Sequence, residues 1–346
     1  MSMRMMSRCG VVIAVAVLCA GVSQAATITL TPFDPNLATA GSYAGGISNP
    51  TKWINNSVRD SDFQNVINNV YPMREDRWDT PQTIGAFLFD STDRAFGGTI
   101  WVDMVGNGTY TKLTDFAVAK GNLTEMVDVT GLLGTKGVYG VKVEINQALG
   151  GLDSSHYQIG HMTILEKPFV NAAADATTKF LGGGAFGGNG SVVDMSLDSA
   201  WRASDGAAAN PASVNWIGFV VEEGTIEVDG IRVSSGSKNN PTWTWQDYMI
   251  QVLLDGDWQN DANWVTVYTA NAADAASKTL FWYDFGETLE VKGIRLFGSE
   301  ALGNNPTANN GKIVEDILAY KWVDIPEPMT MSLLALGGLA LLRRRK

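Results

Sequence analysis

The sequence predicts an all-β chain folded as two β-sandwiches in tandem. Three observations carry that expectation. Apolar and polar residues alternate in short runs, bounded by Gly, Asn and Asp, and 37 glycines supply frequent turns. Long helical periodicity is nearly absent. One local pattern, apolar-x-Gly-apolar-cation-apolar, recurs as VYGVKV (138–143), VDGIRV (228–233) and VKGIRL (291–296).

Residues 1–25 read as a cleavable signal peptide. Arg4 and Arg8 form a basic start, Val11–Ala20 is an apolar stretch, and Ser23-Gln24-Ala25 offers the small residues a signal peptidase reads, with cleavage after Ala25. Cys9 and Cys19, both in this leader, are the chain's two cysteines, so the exported part has no disulfide, thiolate chemistry or cysteine-ligated metal. Leu18 is too bulky for Cys19 to be a lipoprotein cysteine.

The first sandwich is expected over 26–168. Its one helical pattern is DSDFQNVINNV, where Phe63, Val66, Ile67 and Val70 fall on one face, Asp60 or Ser61 is the N-cap, and Tyr71-Pro72 ends the run. TIWVDMV (99–105), GVKVEIN (140–146) and YQIGHMTILE (157–166) read as strands. A Gly/Ala-rich stretch, 169–190, reads as a flexible linker. The second sandwich is expected over 191–323, with strands at YMIQVLL (248–254), WVTVY (264–268), TLEVKGIRLF (288–297) and GKIVEDILAY (311–320). Its order of strands and turns echoes the first half. In each copy of the recurring pattern a glycine (Gly140, Gly230, Gly293) absorbs an extra residue as a β-bulge. Lys142, Arg232 and Arg295 then point away from the core.

The C-terminus, 324–346, has three zones. Pro326, Glu327 and Pro328 form an extended, accessible triplet. Met329–Leu342 is an apolar run of fourteen residues. As a helix it spans about 21 Å, short of the roughly 30 Å hydrocarbon core, so it makes a weak membrane stop. Arg343, Arg344, Arg345 and Lys346 stay on the cytoplasmic side. A tail anchor and a buried terminal helix share this composition. The sequence PEP, then LGGLALL, then RRRK resembles the PEP-CTERM sorting signal of Gram-negative bacteria. That resemblance implies transient inner-membrane insertion through 329–342 and processing by an exosortase near Pro326–Pro328. It also implies delivery to the cell surface or an exopolysaccharide matrix. It is silent on what the cargo does.

The second half resembles a discoidin (F5/8 type C) domain, a galactose-binding-like jelly roll, over about 110 residues. The matching residues are Ile231-Arg232, Asp255-Gly256 with Trp264, Gly293-Ile294-Arg295, and Glu315 with Tyr320. The insertion QNDA (259–262) and the loop NNPTANNG (304–311) depart from a lean version of the family. The resemblance implies glycan or surface binding through loops at one end, commonly with a structural Ca²⁺, and no catalysis.

Charge narrows the partners. The formal net charge is −11, and leaving out Arg4, Arg8 and the four terminal cations makes the remainder more acidic still. Such a surface disfavours nucleic acid and anionic lipid and suits polysaccharide, surface glycan or divalent cations; solubility alone would also account for it.

Ten aromatics crowd 243–285. Trp258, in the hairpin tip DGDWQND, is the first candidate for stacking on a sugar ring, with Trp243, Trp245 and Asp257 beside it. Core filling is the competing role, and it fits Trp264 and Trp282 best. Asp255, Asp257 and Asp261 alternate as at the start of a calcium loop, but Asn260 and Thr266 stand where that loop has its glycine and last glutamate. An Asp-Gly turn explains the same residues. His156 and His161 fall on opposite faces of one strand, so a shared metal is not expected. No nucleophile elbow or histidine-based triad is present, and paired carboxylates for glycoside hydrolysis leave no spacing rule to read. The expectation is a non-catalytic protein that binds glycan; a structural matrix protein and an extracellular glycan hydrolase are the alternatives.

Overall fold

The structure is a computed structural model. It describes residues 28–38, 42–44, 62–65, 73–91, 95–118, 124–149, 156–181, 183–186, 191–195, 200–203, 214–235, 248–270, 280–299 and 313–325.

The chain forms antiparallel sheets in two β-sandwiches. The outer sheet of the first holds, in order, β2 (Ser42–Ala44), β4 (Met73–Gln82), β9 (Val138–Ala148), β6 (Phe96–Asp103) and β7 (Thr111–Val118). Its inner sheet holds β3 (Asp62–Asn65), β10 (His156–Leu165), β5 (Ala86–Ser91) and β8 (Thr124–Asp128). The outer sheet of the second holds β12 (Thr177–Leu181), β15 (Val214–Val220), β20 (Gly293–Ser299), β17 (Met249–Leu253) and β18 (Trp264–Thr269). Its inner sheet runs β1 (Thr31–Phe33), β19 (Leu280–Val291), β16 (Ile226–Ser235), β21 (Ile313–Trp322), β14 (Ala200–Ala203) and β13 (Gly183–Phe186), with β11 (Phe169–Asn171) also on β21. The two outer sheets have the same strand order when taken in chain order. Four strands of the inner sheets match in the same way: β3-β10-β5-β8 against β14-β21-β16-β19. The second half repeats the first as topology.

Alternation does what the sequence reading asks of it in β9 of the first outer sheet. In β9, Val141, Val143 and Ile145 are buried while Lys142 and Glu144 turn outward. The inner sheets differ, because both of their faces are covered. Phe87 and Phe89 of β5 enter the first core with Ile100, Val143 and Ile164. Ala86 and Leu88, on the other face, meet Trp282, Leu318 and Tyr320 of the second sandwich. The second core joins Ile231, Ile317 and Phe281 to Ile250 and Leu296. The result is four stacked sheets with three buried layers between them.

The middle layer is also ionic. Arg232, fully buried, donates through Nη1 to Asp90 Oδ1 at 3.0 Å and through Nη2 to Thr124 Oγ1 at 2.8 Å, bridging the sandwiches. Asp316 lies 3.7 Å from the same guanidinium. Burial pushes the Asp316 carboxyl up to about 7, against the pull of Arg232. His161, beside Asp90 in register, has neither ring nitrogen hydrogen-bonded. Burial pulls its imidazole down to about 4, with Asp90 opposing.

Four expectations need correction. The pattern at 60–70 does not start a helix, since Asp62–Asn65 is a strand paired with β10. A single isolated turn or two of helix is marginal, whereas the edge of β10 offers a ready backbone ladder. The Gly/Ala-rich stretch 169–190 is not a free linker. β11, β12 and β13 lie within it and pair with β21, β15 and β14, and Ala173 sits in the second core. The chain near 26 does not begin in the first sandwich: β1 pairs with β19, and Leu30 packs in the second core. TLEVKGIRLF is not one bulged strand. Val291 ends β19 in the inner sheet and Gly293 begins β20 in the outer one, so the segment is a corner. A Cβ on Gly293 would fall 2.5 Å from Phe219 O, so only glycine fits the corner. The expected bulge does occur in β16, between Val228 and Gly230.

Candidate functional site

The hairpin of β17 and β18 builds the aromatic site. Its tip holds itself in shape through short polar contacts. Gly256 takes φ +90°, the left-handed region that favours glycine. Asp257 Oδ1 accepts from the Gln259 amide at 3.0 Å, Asn260 Oδ1 accepts from Ala262 N at 3.1 Å, and Asn263 Nδ2 donates to Asp257 O at 2.9 Å. A 3₁₀ turn, Asp261–Asn263, leads back into β18.

Trp258 sits on this tip, half-buried. Trp264 Nε1 donates to its carbonyl at 2.9 Å, and its ring meets Trp216 edge-on at 6.0 Å. Lys179 Nζ lies 5.3 Å from the Trp258 ring. Beneath them is Arg295, 1% exposed, with its guanidinium 4.3 Å from the Trp264 ring, 5.3 Å from Trp216 and 4.8 Å from Phe297. Its Nε donates to Gln251 at 2.8 Å and its Nη1 to Asp261 at 2.8 Å. Burial lowers the pKa of Arg295, and Asp261 opposes the shift. The tip is therefore a preformed platform: one half-buried indole, fixed from below, with Asp257, Gln259 and Asp261 exposed around it.

The predicted residues fare differently. Trp264 and Trp282 are buried, as core filling requires, although Trp282 fills the layer between sandwiches and not a sandwich core. Asp255, Asp257 and Asp261 do not converge on a metal. Asp255 pairs with Lys292 at 2.6 Å, Asp257 caps the turn at Gln259, and Asp261 takes Arg295. No group of three potential ligands occurs among the described residues. Asp-Gly turn chemistry accounts for this stretch. Trp243, Trp245, Ala25, Pro326, Glu327, Pro328, Arg343, Arg344 and Arg345 lie outside the described residues, as does 329–342. Among the described residues no helix is long and apolar enough to cross a membrane. His161 is 1% exposed and faces the second sandwich, so it is not accessible to a solvent-borne substrate.

Sequence reasoning missed Trp216 and the burial of Arg295. Both had a signal. Trp216 lies in the alternating run VNWIGFV, and Arg295 is the cation of the recurring pattern. The equivalent cation of the first half, Lys142 on β9, sits 4.8 Å from the Trp101 ring and 5.6 Å from Tyr110. Tyr110 donates its hydroxyl to Glu75 at 2.7 Å.

No protein-family model matches the chain. No curated protein matches it either. Among solved structures, chitosan-binding module 1 of a chitosanase/glucanase from Paenibacillus sp. IK-5 is similar at 18% identity and a TM-score of 0.34, over 44% of this chain and 99% of that one. The CBM32-1 and CBM32-2 domains of ZmpB from Clostridium perfringens are similar at 11% identity and a TM-score of 0.32, over 84% and 94%. An F5/8 type C domain from Bacteroides fragilis is similar at 12% identity and a TM-score of 0.29, over 40% and 97%. At such scores the fold rests on the strand order described above.

Proposed function

We propose that this chain is an exported, non-catalytic protein of the cell surface or exopolysaccharide matrix that binds glycan through the Trp258 hairpin. The observation that carries this reading is the fixed, half-buried indole of Trp258, ringed by exposed hydrogen-bonding side chains. A sugar presents C–H faces to an indole and hydroxyls to its rim, and a preorganised platform avoids the entropy of ordering the tip on binding. The acidic balance of the chain favours a neutral glycan over an anionic one.

Export and sorting belong to the same proposal. The leader ending at Ala25 engages signal peptidase. The Pro326-Glu327-Pro328 triplet, the apolar run and Arg343–Arg345 engage an exosortase. Intact mass of the secreted protein tests this: the expected product starts at Ala26 and has lost the basic tail. A product still ending at Lys346 overturns it.

Glycan binding is tested on an array of immobilised neutral and acidic glycans. The expected result is retention on neutral glycans, reduced at least tenfold by Trp258→Ala. Retention that ignores Trp258→Ala removes the hairpin from the site. One observation favours a second reading, a matrix protein without a ligand: Trp258 also packs on the small cluster of Val220, Leu253 and Trp264. That reading predicts no retention on any glycan.

A further inference from the structure

The seam between the sandwiches contains a cleft that neither sandwich could build alone. A strap crosses it. Residues Thr31–Phe33 pair with β19 of the second sandwich, and four residues later Leu37 N donates to Ile164 O of the first at 2.8 Å. Asn36 Oδ1 accepts from Ile164 N at 2.9 Å, and Trp78 Nε1 donates to Leu37 O at 2.8 Å. Phe33 meets Trp282 edge-on at 6.5 Å. The connector Glu166-Lys167-Pro168 crosses in the other direction, and Pro168 O accepts from Val323 N at 2.9 Å just after β21.

Strap, connector and the end of β21 line a half-open cleft of about 330 Å³. That volume is at the lower end of the roughly 300–1,000 Å³ range of small-molecule sites. Phe33, Pro35, Leu37 and Trp322 give it apolar walls, and Glu166 and Lys167 stand at its edge with Asp34. A second cavity of about 340 Å³ shares Lys167 and Trp322 and adds a polar lining that includes Asp229, Asp284, Thr288 and Lys321. Trp322 is the aromatic residue common to both. It is half-buried, with its ring 4.8 Å from Tyr320 and 6.1 Å from Phe169, and its backbone amide donates to Asp229 at 2.7 Å.

We propose that this seam binds a neutral pyranose of a glycan chain, as a second contact separate from the Trp258 hairpin; the choice of saccharide rests on the glycan-binding reading above. Trp322 offers the stacking surface. The carboxylates of Asp34 and Glu166 accept hydrogen bonds from hydroxyls, and Lys167, whose Nζ also reaches Asp324 Oδ1 at 3.4 Å, donates through its remaining N–H groups. Carboxylates outnumber ammonium groups around the two cavities, so an anionic sugar is repelled. Because the strap, the connector after β10 and the end of β21 contribute walls, an occupied seam also holds these crossing segments in place.

The test is saturation-transfer NMR on the purified full-length chain with methyl β-glucopyranoside, methyl β-galactopyranoside and glucuronate. Wild type, Trp258→Ala, Trp322→Ala and Glu166→Ala are compared, the last because its exposed side chain leaves packing intact. The expected result is transfer to a neutral glycoside but not to glucuronate. That transfer falls only in part in Trp258→Ala, the remainder being the seam's, and falls only in part in Trp322→Ala and Glu166→Ala, the remainder being the hairpin's. If Trp258→Ala abolishes all transfer while Trp322→Ala and Glu166→Ala match wild type, the seam site is overturned and the hairpin reading stands. If Trp322→Ala and Glu166→Ala lose transfer and Trp258→Ala loses none, the seam stands and the hairpin reading falls. Absence of transfer from every sugar to wild type overturns both, and stronger transfer to glucuronate overturns the choice of a neutral ligand.

Discussion

Lys142 of the first sandwich and Arg295 of the second occupy the same place in the same repeated strand, yet they live in different surroundings. Both leave the hydrophobic interior on the central strand of an outer sheet and lie against aromatic rings. Lys142 stays half-buried between Trp101 and Tyr110, whereas Arg295 is 1% exposed under the folded hairpin tip. The difference follows from the side chains. A guanidinium is planar, stacks on indole, and fans its donors to Gln251 and Asp261 at once, so it tolerates being covered. An ammonium is strongly hydrated and keeps its access to water. Arg232 is the third member of the pattern and the limiting case, fully buried and paired across the seam. Pointing away from a core therefore does not mean pointing to solvent.

Four expected outcomes sharpen or break this comparison, from largest to smallest. Arg232→Ala leaves Asp90 buried without its cation, and is expected to cost about 3–5 kcal/mol in denaturant unfolding. A cost under about 1 kcal/mol would mean that the seam is not a structural layer.

The second outcome is a pH dependence. With a raised pKa, folded Asp316 keeps its proton where the unfolded residue has lost it, so stability drains as pH rises from about 4 toward 7. His161 does the reverse. Its folded pKa is depressed, so the unfolded chain takes up the proton first, and stability drains as pH falls from 6.5 toward 4. In the shared window the two slopes, about 1.4 kcal/mol per pH unit each, oppose one another. Asp316→Asn removes one of them. Its stability should fall by roughly 3 kcal/mol more than that of wild type between pH 6.5 and 4.5. Parallel curves for the two proteins would contradict the burial that raises the Asp316 pKa against the pull of Arg232.

Third, Arg295→Ala removes a desolvated stack and is expected to cost roughly 2–3 kcal/mol, and Arg295→Lys recovers little of that loss. Fourth, Lys142→Ala should cost less than about 1 kcal/mol, as an accessible cation–π contact does. Equal losses at the two positions in thermal unfolding would erase the distinction between the sheets.

The same distinction explains what the sequence shows plainly. Outer-sheet β9 announces itself, because one face is more open to water: GVKVEIN alternates and falls where the alternation puts it, whereas Gln251 and Leu253 of YMIQVLL are covered on their second face too. Inner-sheet strands do not. AFLFDS is buried on both faces, so it reads as an apolar run with an unexplained aspartate, and LFWYDF and IVEDILAY are of the same kind. Asp90 is explained only by Arg232 of the opposite sandwich, and Asp316 by the same guanidinium on the neighbouring strand of its own sheet. The corner at Lys292 was hidden because a bulge and a change of sheet produce the same break in parity. The strand content of 169–186 was hidden because FVN, TTKFL and GGAF are each too short to show a period and lie among Gly and Ala, which carry almost no periodic signal. Of the site, Trp258 and its turn were legible from the DG turn and the indole at its tip. The stack on Trp216 and Arg295 depends on contacts between strands far apart in sequence.

The central claim is that half-buried indoles held at fixed positions grip a sugar, while the buried ones serve packing. Indole N–H resonances of the 11 tryptophans, followed during titration with a neutral oligosaccharide, separate the two groups directly. The account predicts saturable shifts of the Trp258 and Trp322 signals and steady Trp264 and Trp282 signals. Shifts confined to Trp264 and Trp282, or none at any concentration, would contradict it.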